Sequence, residues 1–303
     1  MSSLASAATA SAGTLVVFLY AHDKGRQRDK GVFDNFVFFI RFGLVEAAGV
    51  TFSLLVSGTQ TFSVALPNRP NVLVHNVAQL PGRGQMSHYK AFFEEPAAYK
   101  GCATSAPCSV PDVVVNWRKD YSRFLLLSDV VRGPFLPSYV ERASWPALFL
   151  SPLDNADTKL VGATVSCEGC ATHAPACTRM LHVESPVLGT DQIGLDLLLR
   201  RWRPWSTKWD EIYKNEVGGS IGIRSAGYNF AVHQRFWRHH DFRNATRTAA
   251  KCGALASRSV KLVPGADRKI KPMEGGEMTN LHAWYLGKGG SDCKGWCDRY
   301  AQP

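Results

Sequence analysis

No apolar run in this chain approaches the roughly 18 residues needed to cross a bilayer. The longest, Leu15 to Ala21, has seven residues, so no integral membrane span is expected. A glycine-rich phosphate loop of the Walker or dinucleotide kind is missing, which argues against P-loop and dinucleotide chemistry. A Gly-x-Ser-x-Gly elbow is missing too, which disfavours a hydrolase built on that turn. Cys167-x-x-Cys170 has no second Cys-x-x-Cys, so a zinc knuckle made with His173 and Cys177 would be incomplete. Residues 1–13 carry no charge and lack the basic start of a secretory signal. They read as a disordered leader or as the remnant of a targeting segment.

What is present is enough for a core. The sequence has 303 residues and is 45% hydrophobic, which suits one large α/β domain or two small ones. Lysine and arginine exceed aspartate and glutamate by 35 to 25. The excess is local: residues 200–271 hold 16 Lys/Arg against 5 Asp/Glu. That stretch reads as a basic module on a nearly neutral body, and basic surfaces attract polyanions. Eight cysteines lie in loop-like surroundings. Their even count suits disulfides in an oxidising compartment, with zinc and free thiols as alternatives. The sequon Asn244-Ala-Thr246 points the same way. The secretory pathway, with the Golgi lumen as its site, is therefore expected, and the cytoplasm is the alternative.

The apolar pattern predicts strands at Thr14–Ala21, Val50–Val56, Asn71–Val77, Phe124–Leu127, Leu160–Ser166 and Tyr228–His233. Helices are expected over Phe33–Ala48 with Gly49 as its stop, Met86–Tyr99, Trp145–Leu150, Asp191–Arg201 with Thr190 as N-cap, and Trp209–Ala226. Beyond Arg238 the pattern fades. Strands alternating with helices predict an α/β fold with a mixed, mostly parallel central sheet flanked by helices. The expected organisation is a leader over 1–13, an α/β domain over 14–240, and a basic, cysteine-containing extension over 241–303.

The strand Phe124–Leu127 stops at Ser128-Asp129, and a turn with Arg132-Gly-Pro-Phe-Leu-Pro137 follows. Open α/β sheets place ligands outside the carboxyl ends of their strands. A carboxylate there can hold a divalent cation and an arginine can meet a phosphate. Glycosyl transfer from a nucleotide sugar needs a neutralised diphosphate, a held sugar and, for inversion, a base for the acceptor hydroxyl. Ser128, Asp129, Arg132, Asn76 and Lys214 are the donor-binding candidates. Asp129 and His233 are the candidates for a metal, manganese or magnesium. Glu216, Asp191 and His182 are the catalytic candidates. Asp210 and Glu211 fall 6 and 5 residues before Glu216, off its helical face, and read as solvated. The mixture of cations and tryptophans over residues 200–209 would also suit nucleic acid.

Several segments together resemble a family of green-algal proteins described as glycosyltransferase-like. They are Thr14-Leu-Val-Val-Phe-Leu-Tyr-Ala, Phe38-Phe-Ile-Arg-Phe-Gly-Leu-Val-Glu46, the Arg132-Gly-Pro-Phe-Leu-Pro137 loop and Lys159-Leu-Val-Gly-Ala-Thr-Val-Ser-Cys167. Further along come His182-Val-Glu-Ser185, Thr190-Asp-Gln-Ile-Gly-Leu195, and Glu216-Val-Gly-Gly-Ser220 leading to Ala226-Gly-Tyr-Asn229. The resemblance covers residues 14–244. It implies a GT-A-type, nucleotide-diphospho-sugar-transferase-like fold, a nucleotide-sugar donor, and a glycan or glycoprotein acceptor. Ser128-Asp129 stands where the family has Asn-Ser, which brings the site nearer the Asp-containing metal motif of GT-A enzymes. Asn76 leads into Val-Ala-Gln-Leu-Pro-Gly instead of the family's Cys-x-Asp cluster, removing a carboxylate. A catalytically inactive glycan- or nucleotide-binding relative is the alternative, and a nucleic-acid-binding protein using residues 200–271 is another.

Overall fold

The computed structural model describes residues 13–21, 30–57, 69–77, 84–95, 102–103, 117–129, 131, 145–167, 181–205 and 210–260. Strand β1 (Thr14–Ala21) is apolar on both sides, as a strand covered on two faces must be. Its alternate residues serve two cores. Val16, Phe18 and Tyr20 pack on one face, and Leu15, Val17 and Leu19 on the other. The remaining strands of the main sheet are β2 (Val50–Ser57), β3 (Val72–Val77), β4 (Cys102–Ala103), β5 (Arg123–Ser128), β6 (Thr158–Gly162), β9 (Val187–Asp191) and β10 (Asn229–Val232). Their order is β10-β6-β9-β5-β1-β2-β3-β4. A short second sheet pairs β7 (Val165–Ser166) with β8 (His182–Val183).

β1 runs parallel to β2 and β5, β2 to β3, and β10 to β6, while β9 is antiparallel to both neighbours and β4 to β3. The sheet is therefore mixed and mostly parallel, flanked by helices on both faces, as the sequence predicts. The carboxyl ends of the parallel strands gather along one edge. The chain moves from β1 outward to β2 and β3, then returns to place β5 on the other side of β1. The strand order reverses between β1 and β5.

One face is covered by helix α1 (Lys30–Phe38), continued by a π turn over Phe39–Gly43, and by α4 (Trp145–Leu150). Phe18 stacks on Phe39 at 4.3 Å and Tyr20 on Phe36 at 4.5 Å. Each such buried ring contributes about 2–3 kcal/mol of transfer free energy. The Trp145 indole donates to the Gly43 carbonyl at 2.8 Å, which joins the two covering elements. The other face holds α2 (Gln85–Glu94), the short α3 (Trp117–Asp120), α5 (Gln192–Arg201), a π segment Glu211–Val217 that continues into α6 (Gly218–Ser225), and α7 (Ala245–Val260).

Several details differ from the sequence reading. The first helix ends at Gly43, and Gly49 (φ 73°) instead shapes the turn into β2. The second helix stops at Glu94. The expected strand over 160–166 is two strands, because Ala163 and Thr164 break the ladder. β9 was not foreseen. It carries Gly189 at its centre, where a Cβ would come within 2.5 Å of Leu150. Asp191, not Thr190, caps α5: its carboxylate accepts from Gly194 N at 2.8 Å, while Thr190 donates to the Lys159 carbonyl.

The body also runs past residue 240. Phe242 is fully buried and stacks on Phe230 at 4.3 Å. Helix α7 then docks through Thr248, Cys252 and a Cys167–Cys252 disulfide. That bridge takes the first cysteine of the expected zinc knuckle. Cys170, His173 and Cys177 lie outside the described residues, as do residues 1–12 and 261–303. Among the described residues no helix is long and apolar enough to cross a membrane.

Candidate functional site at the carboxyl edge of the sheet

Strand β5 ends at Ser128 because the next residue must turn: Val131 N reaches back to the Ser128 carbonyl at 3.2 Å. Asp129 lies in that turn, half-buried, beside the end of β1. This is the point where strand order reverses, and a crevice opens there in sheets of this kind. Each layer contributes a group. From α1, Asn35 donates to the Asp129 carbonyl at 3.1 Å and fixes the turn. From β1 comes Tyr20 and from α2 comes Tyr89. Burial raises the proton affinity of both phenols, and the Asp129 charge raises it further. Both hydroxyls therefore keep their protons at neutral pH. Tyr89 accepts from Gln85 at 3.2 Å, which leaves its own proton to give.

Ser128 is buried, and its hydroxyl has no hydrogen-bond partner among the described residues. An unpaired buried hydroxyl costs free energy unless something else meets it. Its backbone N–H donates to the Pro186 carbonyl at 3.0 Å. The residue before that proline, Ser185, leads to the opposite wall. Ser185 N donates to Glu216 Oε1 at 2.7 Å, and the Ser185 carbonyl accepts from Gln85 at 2.7 Å. Glu216 is thus tied by two short steps to the end of β5. Its second carboxylate oxygen has no donor among the described residues. Beside it, Glu184 accepts from the Thr164 hydroxyl at 2.8 Å.

Other sequence candidates go elsewhere. Asp191 sits at the opposite edge: it pairs across the ladder with Arg123, the first residue of β5. There it caps α5 and holds Lys159 Nζ at 2.6 Å. It does not meet Asp129 or Glu216, and its role is to fasten the sheet to a helix. Lys214 pairs with Asp210 at 2.7 Å and lies 3.9 Å over the Trp205 ring, an exposed arrangement on the helix surface. His182 is buried in the β7–β8 pair. Asn76 is the penultimate residue of β3, opposite Val56 and on the same edge as Asp129; its side chain, like all of Arg132, lies outside the described residues.

His233 follows β10, three strands from β5. Strands lie about 4.8 Å apart, so it is about 14 Å across the sheet from Asp129, too far to share a cation. Its Nε2 is 2.8 Å from the Phe149 carbonyl, which can only accept, so that nitrogen carries the proton and has no lone pair for a metal. Among the described residues no group of three His, Cys, Asp or Glu is placed to hold a metal ion. The expected Asp129–His233 metal pair does not fit this geometry.

Glu211 corrects a second expectation. It is buried, not solvated. Its carboxylate accepts from Met86 N at 2.9 Å and from Asn215 Nδ2 at 2.7 Å, and the Ser87 hydroxyl is within reach at 3.3 Å. Gly84, at the N-cap of α2, has no side chain to cap the helix, so Glu211 caps it from another element. A Cβ at Gly84 would fall 1.9 Å from the Glu211 carboxyl carbon. Burial raises the Glu211 pKa, against the hydrogen bonds, which lower it. The signal in the sequence was Asn215, four residues on and one helical turn away.

An open depression of about 540 Å³ lies at the far edge, lined by Arg118, Lys119, Gln192, Leu195 and Asp196. The Arg118–Asp196 ion pair lies within it, and Gln192 spends its amide on the Arg118 and Tyr121 carbonyls. Its polar groups are largely engaged with each other, and it is remote from the β1–β5 crevice.

No family model matches the chain, and no curated protein matches it. Among solved structures, the glycosyltransferase GlyE of Streptococcus pneumoniae TIGR4 aligns at 12% identity with a TM-score of 0.26. The alignment covers 84% of this chain and 66% of that one, so the chain spans just under two thirds of its length. A likeness at that score carries no argument about chemistry.

Proposed function

We propose that this protein binds a nucleotide sugar in the β1–β5 crevice and transfers the sugar to a glycan or glycoprotein. The observation that carries the reading is the placement of Asp129 and the unpaired Ser128 hydroxyl at the point where strand order reverses. Among the described residues Asp129 belongs to no group of three His, Cys, Asp or Glu placed to hold a metal ion. A carboxylate repels a diphosphate but accepts hydrogen bonds from vicinal hydroxyls. It therefore holds ribose or sugar hydroxyls. The Ser128 hydroxyl is a neutral donor, suited to a phosphate oxygen at the same rim. Glu216, oriented by Ser185 N, accepts the proton of the acceptor hydroxyl. The disulfide supports an oxidising compartment for the reaction.

Calorimetric titration with a panel of UDP- and GDP-sugars, alongside release of nucleoside diphosphate, tests this. One donor class binds, and Asp129→Asn weakens it at least about tenfold, the loss of a charge-assisted hydrogen bond. Binding with no release of nucleotide in the presence of glycans leaves a sugar-nucleotide-binding protein. Absence of binding across the panel, or an Asp129→Asn variant that binds as well as the parent, ends the proposal.

A further inference from the structure

The turn Glu184-Ser185-Pro186 joins β8 to β9 at the carboxyl end of β5. Other elements take up its backbone groups one by one. Glu184 N donates to the Thr164 carbonyl at 3.1 Å, and the Pro186 carbonyl accepts from Ser128 N at 3.0 Å. Ser185 N donates to Glu216 Oε1, and the Ser185 carbonyl accepts from Gln85 Nε2, both at 2.7 Å. The first two bonds join backbone to backbone. The two at Ser185 depend on particular side chains.

Gln85 is the first residue of α2. The helix packs on the core through Met86, Tyr89, Phe92 and Phe93. Its first turn is capped by Glu211 through Met86 N. Neither task falls to Gln85. Its amide nitrogen is spent on the Ser185 carbonyl, which can only accept, so the sense of the amide is fixed. The same nitrogen reaches the Tyr89 hydroxyl at 3.2 Å. Tyr89 is fully buried and steadies the amide from the core side.

The π segment completes the arrangement. Glu211 and Glu216 are five residues apart, and π hydrogen bonds run from i to i+5. The two carboxylates are therefore little more than one turn apart, where an α-helix would splay them. Glu211 grips Met86 N, and Glu216 reaches Gln85 through Ser185. The contacts close into a ring: Glu211, Met86, Gln85, Ser185, Glu216, and back along the π segment. A member of a closed ring cannot swing without straining a second contact, so the Glu216 carboxylate is held in direction as well as in place.

We propose that Gln85 is a positioning residue of the crevice: by holding the Ser185 peptide it aims Glu216, engaging Oε1 and leaving the second oxygen for the acceptor hydroxyl. The assignment rests on the base role given to Glu216 above. Gln85 acts through Glu216 and is not itself a catalytic residue.

The test reads amide hydrogen exchange of the full chain by NMR, without ligand, in the parent, Gln85→Met and Gln85→Glu. Methionine keeps the length without the amide, and an ionised glutamate keeps the shape but has no proton to give. Both variants speed exchange of the Ser185 amide about tenfold. The Val183 amide, bonded to Ser220 Oγ at 3.0 Å, exchanges as in the parent. With UDP- and GDP-sugars and glycans supplied, release of nucleoside diphosphate falls about tenfold in kcat, and the donor KM is unchanged. Unchanged Ser185 exchange, equal acceleration at Val183, or an unchanged kcat overturns the assignment. A parent that releases no nucleotide, with Ser185 exchange accelerated in both variants, overturns the base role alone and leaves Gln85 aiming a carboxylate of the crevice.

Discussion

The two edges of the central sheet use the same residue types for opposite ends. At the amino edge of β5, three carboxylates are matched within the fold. Asp191 caps α5 and holds Lys159, Asp196 holds Arg118, and Asp154 holds Arg123 at 2.6 Å. At the carboxyl edge, capacity is left over: Ser128 keeps an unpaired hydroxyl, and one Glu216 oxygen has no donor among the described residues. Interactions completed within the fold stabilise it. Groups held in place but incompletely matched are where a ligand can contribute. Glu211 is the informative exception, a carboxylate at the ligand edge that is fully engaged and therefore structural.

Substitutions can break this contrast. The largest effect is expected from Gly194→Ala at the amino edge. The new Cβ would lie 2.1 Å from the Lys159 carbonyl oxygen, a backbone atom that cannot swing away. Overpacking of this kind costs more than about 3 kcal/mol in denaturant unfolding. Asp191→Ala follows, at about 2–3 kcal/mol, because it removes a cap and strands a largely buried lysine. Nucleotide-sugar binding should survive it. Retained stability with lost binding would instead move Asp191 into the site.

Glu211→Ala should cost about 2 kcal/mol by leaving Met86 N and Asn215 unpartnered. It also carries a pH signature. The folded-state pKa of Glu211 is raised above its unfolded value, so the folded protein binds more protons between the two. The stabilisation from this group is complete below the unfolded pKa and declines as pH rises through the folded one. Melting curves on the acid side of neutrality should lose that slope in Glu211→Gln. The smallest effect belongs to Ser128→Ala. Removing an unpaired buried hydroxyl should leave stability unchanged or raise it by about 0.5 kcal/mol, while weakening donor binding. A clear loss of stability would mean that the hydroxyl already has a partner in the fold, and the contrast between the edges would narrow.

Much of the carboxyl edge was legible in the sequence because apolar runs announce buried parallel strands. β1, β2, β3 and β5 were each found within two residues of their ends, and with them the position of Asp129. β9 escaped because Gly189 and the preceding Pro186 read as loop, and only its antiparallel place in the ladder makes a strand of it. Without β9, nothing showed that Asp191 belongs to the other edge. The same gap made His233 look close to Asp129, since sequence order hides the strands that intervene. Helix α7 escaped for a different reason. Its buried positions, Thr248 and Cys252, are small, so the i, i+4 spacing was present but not hydrophobic enough to stand out.

The reversed course of β9 has a wider consequence. A strand that runs backward through a parallel sheet delivers its helix to the quiet side of the molecule, away from the rim where the others end. Changes that retune the rim for a new ligand need not disturb the clasp that keeps the halves together, and repairs to the clasp need not touch the rim. A chain arranged this way can drift in specificity and in sturdiness along separate tracks.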